Sequence, residues 1–362
     1  MALTQATDQA AIGIDGARQG TMLTRWASRH APILVLGLLL VLLPAVANDF
    51  ILDQIVGWAL ILGMIALSLM FLAGYGGMVS LAQMTVAGVA GYMITVFGAS
   101  SLPTISLFWP WWVAAPVAIV IAVAFGTLAG ALSARTEGIY TIMITLAIAA
   151  AFFYFTNENY AIFNGHTGIN SIASPDFLGV DWRSPIPFYY VTLFIAAACY
   201  FAVIYLSRAP FGLALQGVRD NPRRMAALGF NVRAHRIAAY AFASFVAGLG
   251  GVLLVWQNTE IAPSTAGVDA AIDILVIAVV GGVTRPIGPF VGALVYVILK
   301  AFAIDMLVAV GLNGARFRML IGLGFLAIVF FSPDGFVGLW AQLRERSGLA
   351  GGTLRSGGAR HG

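Results

Sequence analysis

The run WWVAAPVAIVIAVAFGTLAGAL, residues 111–132, decides the fold class. A membrane strand alternates apolar and polar residues, and a soluble surface helix keeps a polar face. This run does neither. Its length as a helix matches the roughly 30 Å of a bilayer's hydrocarbon core, so it reads as a helix that crosses a membrane. The rest of the chain agrees. Of 362 residues, 60% are hydrophobic and only 9% charged, where a soluble domain has about a quarter charged. Comparable runs lie near 31–47, 55–73, 79–98, 138–155, 189–206, 237–256, 270–281, 287–304 and 317–331. The expected fold is all-α and polytopic, with about ten transmembrane helices. One membrane domain, 31–340, is expected between an N-terminal tail, 1–30, and a disordered C-terminal tail, 341–362.

Charge orients this frame, because short loops rich in Lys and Arg stay cytoplasmic. With both termini inside, the inside segments hold Arg18, Arg25, Arg29, Arg135, the six arginines of residues 208–237, Arg285, Arg344, Arg346, Arg355 and Arg360. The outside segments hold Asp49, Asp53, Glu158, Asp176, Asp181 and Glu260. Arg183, Arg316 and Arg318 fall on the outer side against the trend. Ala45, Val46 and Ala47 resemble a signal-peptidase site, but the polar region of about 30 residues before them is long for a signal peptide, so the first helix is expected to remain. The lone Cys199 excludes an internal disulfide and reads as a small core residue.

Two loops exceed a simple turn. The outer one, 157–187, contains NGHTGIN and SPIP and reads as turn-rich with a short helix. The inner one, 207–236, is the most basic stretch of the chain. After the turn APFG, it places Asn221 at a helix N-cap, Pro222 at the first helical position and Gly229 just past the end. A two-turn helix from Pro222 to Leu228 is expected outside the membrane. Arg223 and Arg224 occupy its first turn, where the helix dipole disfavours cations by about 0.3 to 1 kcal/mol, so local stability does not account for them. Two readings stand: anchoring to anionic lipid headgroups, or docking to a cytoplasmic protein through the arginines with Met225, Leu228 and Phe230 as the apolar anchor.

Here the sequence resembles a known family, the ABC-importer permeases of the branched-chain amino acid type. Their inner loop reads S-x-F-G-R-A, then R-x-N-x-x-A-A-x-x-x-G, then a basic residue; this chain supplies Ser207, Phe211, Gly212, Ala214, Arg219, Asn221, Ala226, Gly229 and Arg236. GYGGMVSLAQMTVAGVAGY resembles the family's G-x-x-S-L-G segment, EGIYTIMITLA its R-G-x-Y-x-x-x-x-T-L-A helix, AIDILVIAVVGGVTRPIGPFVGA its S-I-E-x-L segment and FFSPDGFVGL its closing P-x-G-L-x-G-L. The likeness runs in order from 70 to 340. It departs at Asn164, Gly165 and His166, where the family has T-G-G, and at Ala82, where it has glycine.

The resemblance implies a permease subunit that itself binds no cofactor. ATP would be used by two cytoplasmic ATP-binding subunits. A homologous second permease and a periplasmic substrate-binding protein would complete the assembly, with membrane lipid around it and no nucleic acid. The implied ATPase-coupling segment is Asn221, Pro222, Arg223, Arg224, Met225, Ala226, Leu228 and Gly229. The candidate substrate pathway is Gly74, Gly76, Gly77, Ser80, Gln83, Thr145 and Asp273. Broken helices line transporter sites because unwound backbone needs a cavity; GYGG breaks one helix, and 269–281 is too short to cross. The other reading of the glycines is close helix packing. An intramembrane carboxylate is costly and usually functional, although Asp273 could instead cap a half-helix.

The implied substrate is a branched-chain amino acid, with urea, short amides or another small organic solute as alternatives within the same importer type. A proton-coupled transporter using Asp269 and Asp273 is the alternative outside it. No GxxxxGK[ST] loop is present, and Lys300 is the only lysine, so the chain is not expected to hydrolyse ATP by that chemistry. His30, His166, His235 and His361 lack HExxH spacing, and neither catalytic nor metal residues are expected.

Overall fold

The computed structural model describes residue 37 and residues 39–100, 106–172, 175–177, 180–182 and 184–309. Chain contacts separate two units, Met1–Leu52 and Asp53–Gly362, and the second holds the membrane core. Besides a four-residue helix, Tyr160–Phe163, in the loop expected to hold a short helix, the helices in chain order are α1 (Ile51–Tyr75), α2 (Gln83–Phe97), α3 (Trp111–Ser133), α4 (Ile139–Glu158), α5 (Pro185–Arg208), α6 (Pro210–Asp220), α7 (Pro222–Ala227), α8 (Val232–Asn258), α9 (Val268–Gly281) and α10 (Gly288–Ala309). Among the described residues, α1, α3, α4, α5 and α8 are long and apolar enough to cross a membrane.

Every expected helix between 55 and 304 is present. The expected count of ten membrane helices reaches beyond the described residues, since 317–331, both tails, Arg316 and Arg318 lie outside them. Of the run 31–47, residues 39–42 are helical and Leu43–Ala45 form a 3-10 turn containing Pro44. Two helices are short, α2 with 15 residues and α9 with 14, or about 21 to 23 Å at 1.5 Å per residue. One helix was not expected: α6, with 11 residues, in the inner loop. Pro210, read from sequence as part of a turn, occupies its first turn, where the missing N–H costs nothing. Four two-residue strands depart from a wholly helical chain. β1 (Ile169–Asn170) pairs antiparallel with β4 (Glu260–Ile261), and β2 (Asp176–Phe177) with β3 (Val180–Asp181).

The helices differ sharply in position. The apolar window of α1 is 89% buried and that of α8 67%, against 22% for α4 and 28% for α5. Nearly every residue of α2 from Gln83 to Tyr92 is buried as well. α1, α2 and α8 form the centre, and exposed Val120, Met143, Phe194 and Phe201 face outward from α3, α4 and α5. In hydrocarbon this centre gains little from hydrophobic transfer, so close packing at small residues must hold it. A Cβ on Gly251 of α8 would lie 2.0 Å from the Ala87 carbonyl of α2. One on Gly126 or Gly130 of α3 would collide with Ser244 or Tyr240 of α8, and one on Gly63 of α1 with Phe290 of α10.

The connections gather at two ends. At one, Gly74 lies against the Val283 carbonyl, and Arg236 pairs with Glu137 at 2.9 Å. At the other, β1 meets β4, and the Gln257 amide donates to Asp53. The basic inner loop belongs to the first end, and Glu158 and Glu260 to the second.

Candidate functional site

The basic loop is a pair of helices, the second of them capped at both ends. α6 turns a buried face of Gly212, Ala214, Leu215 and Val218 toward the membrane core and leaves Leu213 exposed. Its corner with α5 is tight, because a Cβ on Gly212 would meet the Leu206 carbonyl at 2.1 Å. The Gln216 amide closes the corner by donating to the carbonyls of Ser207 and Gly212 at 3.0 and 3.2 Å. α6 passes to α7 without slack, since Asn221 N–H bonds the Gly217 carbonyl at 3.0 Å and Met225 packs on Gly217.

α7 begins where the sequence predicts. The Asn221 side chain accepts from Arg224 N–H at 2.9 Å, with Pro222 in the first turn. Its end is a Schellman cap: Gly229 N–H bonds the Ala226 carbonyl, Phe230 N–H bonds the Met225 carbonyl, and Gly229 adopts φ +88°. The helix ends at Ala227, one residue short of the expected Leu228, which is its C-cap; with both ends capped, helix and cap present Arg223, Arg224, Ala226 and Leu228 to the outside, with Met225 half-buried. Leu228 is 67% exposed and Phe230 41%. His235 stacks on Phe211 and meets Phe230 edge-on, both at 5.7 Å, bracing the loop from behind. Arginines beside uncovered apolar side chains make a surface suited to a protein partner.

At the same end, the α1–α2 connection is broken. α1 widens into a π turn over Phe71–Tyr75, and residues 77–80 run without helix before α2 starts at Gln83. Gly77 takes φ +66°, and a Cβ there would lie 2.6 Å from Arg219 Cγ; one on Gly76 would approach Met78 and Leu215. The predicted glycines therefore sit where the broken segment meets α6.

Deeper in, the break is held by neutral polar groups. Leu81 N–H donates to Thr145 Oγ1 at 3.1 Å, while Ser80 Oγ accepts from Ala82 N–H at 3.3 Å. Ser68 of α1 donates to Gln83 Oε1 at 3.0 Å. Gln83 Nε2 has no partner among the described residues, and α2 opens without a side-chain cap. Tyr240 and Ser244 of α8 are fully buried as well. Ser80, Gln83 and Thr145 are thus brought together; Ser68 joins them through Gln83, and Tyr240 of α8 lies beside Ser80. Sequence reasoning missed Ser68 and Tyr240, since each is a lone polar residue in an apolar run. Asp273 is half-buried in α9, more than a turn past the N-cap Gly267.

Uncharged amides and hydroxyls around unwound backbone suit passing hydrogen bonds to a polar solute. Among the described residues, no group of three His, Cys, Asp or Glu side chains could hold a metal ion. A groove of about 370 Å³ between α3, α5 and α8 is lined by Trp111, Trp112, Pro116, Trp182, Ile195 and Trp256, among others. Its apolar wall and tryptophan rim match the boundary of a bilayer.

Residues 51–329 match the family described as branched-chain amino acid transport system / permease component. The chain is 28% identical over 233 residues to the probable branched-chain amino acid transport permease protein LivM of Methanocaldococcus jannaschii, covering 61% of this chain and 67% of that protein. It is 23% identical over 312 residues to the high-affinity branched-chain amino acid transport system permease protein LivM of Escherichia coli, covering 80% and 68%. The Salmonella typhimurium protein of the same name is 24% identical over the same length and shares. No solved structure matches.

Proposed function

Because the chain belongs to the branched-chain amino acid transport permease family, we propose that it is the membrane-spanning subunit of an ATP-driven ABC importer in a bacterial inner membrane. The observation that carries this reading is the helix pair α6–α7, whose capped second helix and its C-cap present Arg223, Arg224 and Leu228 at the end where the α1–α2 break opens. A rigid element with an uncovered docking face suits the transmission of force from a partner. Two cytoplasmic ATPase subunits bind and hydrolyse ATP, a homologous permease pairs with this chain, and a periplasmic binding protein delivers solute at the β1–β4 end. This chain performs no hydrolysis.

The solute is a branched-chain amino acid, as the names of the relatives suggest. A second reading, a different small organic solute, rests on the outer loop, where Asn164 and Gly165 build a left-handed turn that leaves His166 exposed. Ligand binding by the partner binding protein decides between them: binding of leucine, isoleucine and valine alone removes the second. Native mass spectrometry of the gently solubilised protein tests the assembly. Recovery with ATPase subunits and a second permease is expected, and recovery only as a monomer or homodimer overturns the reading.

A further inference from the structure

We propose that Arg219 is the strut that carries movement of the docking loop into the broken segment between α1 and α2. The inference rests on the reading of the α7 face as the ATPase contact and assigns a positioning role to a side chain outside that face. Arg219 sits at the end of α6. Its Nε and Nη2 both reach Asp220 Oδ1 at 2.9 Å, and its Nη1 donates to the carbonyl of Gly74. As an ion pair between side chains 40% and 66% exposed, the contact with Asp220 adds little stability. It does fix the plane of the guanidinium, so the remaining donor is aimed at one acceptor.

That acceptor is telling. Gly74 belongs to the π turn that ends α1, where carbonyls lose their helical partners. Three residues on, Gly77 holds a left-handed φ that presses it to Arg219 Cγ, with Leu215 of α6 fully buried nearby. The path is continuous: α7 through Met225 to Gly217, α6 through Arg219 to Gly74, and the unwound residues to Leu81 and Thr145. Lysine would supply a charge without the planar fork that serves Asp220 and Gly74 together. Local capping of α1 alone would make Arg219 a stability residue. Transmission requires in addition that the break stop responding when the strut is removed.

The test uses the assembled transporter with its ATPases and compares maleimide labelling before and after trapping with ATP and vanadate. Cysteines are placed at Val79, in the break, or at Leu228, the C-cap of α7; the native Cys199 is buried. In the otherwise unchanged protein, trapping alters labelling at both positions. In Arg219→Ala the change at Leu228 remains and the change at Val79 is lost, with co-purified ATPase per permease unaltered. Arg219→Lys gives a partial loss, and it carries the test if the alanine variant does not accumulate. Gly77→Ala, whose added methyl displaces the strut, reproduces the loss at Val79. A change at Val79 that persists in Arg219→Ala overturns the proposal. Absence of change at Leu228 in the unsubstituted transporter overturns instead the coupling reading on which it rests.

Discussion

Thr145 illustrates how a single hydroxyl holds irregular backbone inside a membrane. It accepts from Leu81 N–H at 3.1 Å and donates back to the carbonyls of its own helix at 3.0 Å. Valine has nearly the same shape and removes the acceptor, stranding a buried N–H at a cost of about 1 to 3 kcal/mol. Thr145→Val should therefore lower the unfolding temperature in detergent, while Thr145→Ser should largely retain it. Gly229 is the corresponding residue in the loop. Its φ of +88° closes the Schellman cap, and a Cβ there would meet nothing within 4 Å, so any penalty of substitution is conformational. Gly229→Val is expected to insert normally while the partner ATPases of the assembled transporter hydrolyse ATP with little solute transport, measured as ATP consumed per leucine imported into proteoliposomes. Gly229 was legible in sequence because a helix start and a glycine stop were visible together. Ser68 and Tyr240 were not, because in a helix apolar on every face no periodicity shows which side turns inward.

For the elements, the same contrast has a physical cause. α7 could be read from Asn221, Pro222 and Gly229 because caps are local chemistry. α6 was missed although Leu215 and Val218 stand a helical turn apart, since Pro210 and Gly212 read equally well as a turn; only packing on the core makes a helix of them. The break after α1 was legible from its glycines, yet their neighbours were not, because a contact with Arg219 depends on how distant segments fold together. The docking face makes its own prediction. Changing Arg223 and Arg224 together to glutamate should weaken ATPase association by about 1 to 3 kcal/mol, the range for charge-assisted contacts. The quantity to measure is co-purified ATPase per inserted permease. If the arginines serve lipid headgroups instead, the ratio stays constant while the amount inserted falls.

On the scale of the whole molecule, the alternation of apolar runs and charged loops revealed the path of the chain, and the contacts at the two ends follow it. What composition could not reveal is which helices are central, because α1 and α4 are both apolar and only their burial separates them. Sidedness can be checked with single cysteines at Leu228 and Thr167, both exposed and at opposite ends. A membrane-impermeant maleimide should label the first only in inverted vesicles and the second only in intact spheroplasts. The pairing of β1 with β4 also bears on how the protein is made. Its two strands are separated by all of α5, α6, α7 and α8, and a chain emerges N-terminus first. The Ile169–Ile261 ladder is therefore a long-range closure that waits for α8 to cross. Through much of biogenesis the outer loop stays unlatched, and its closing marks the arrival of that last central helix.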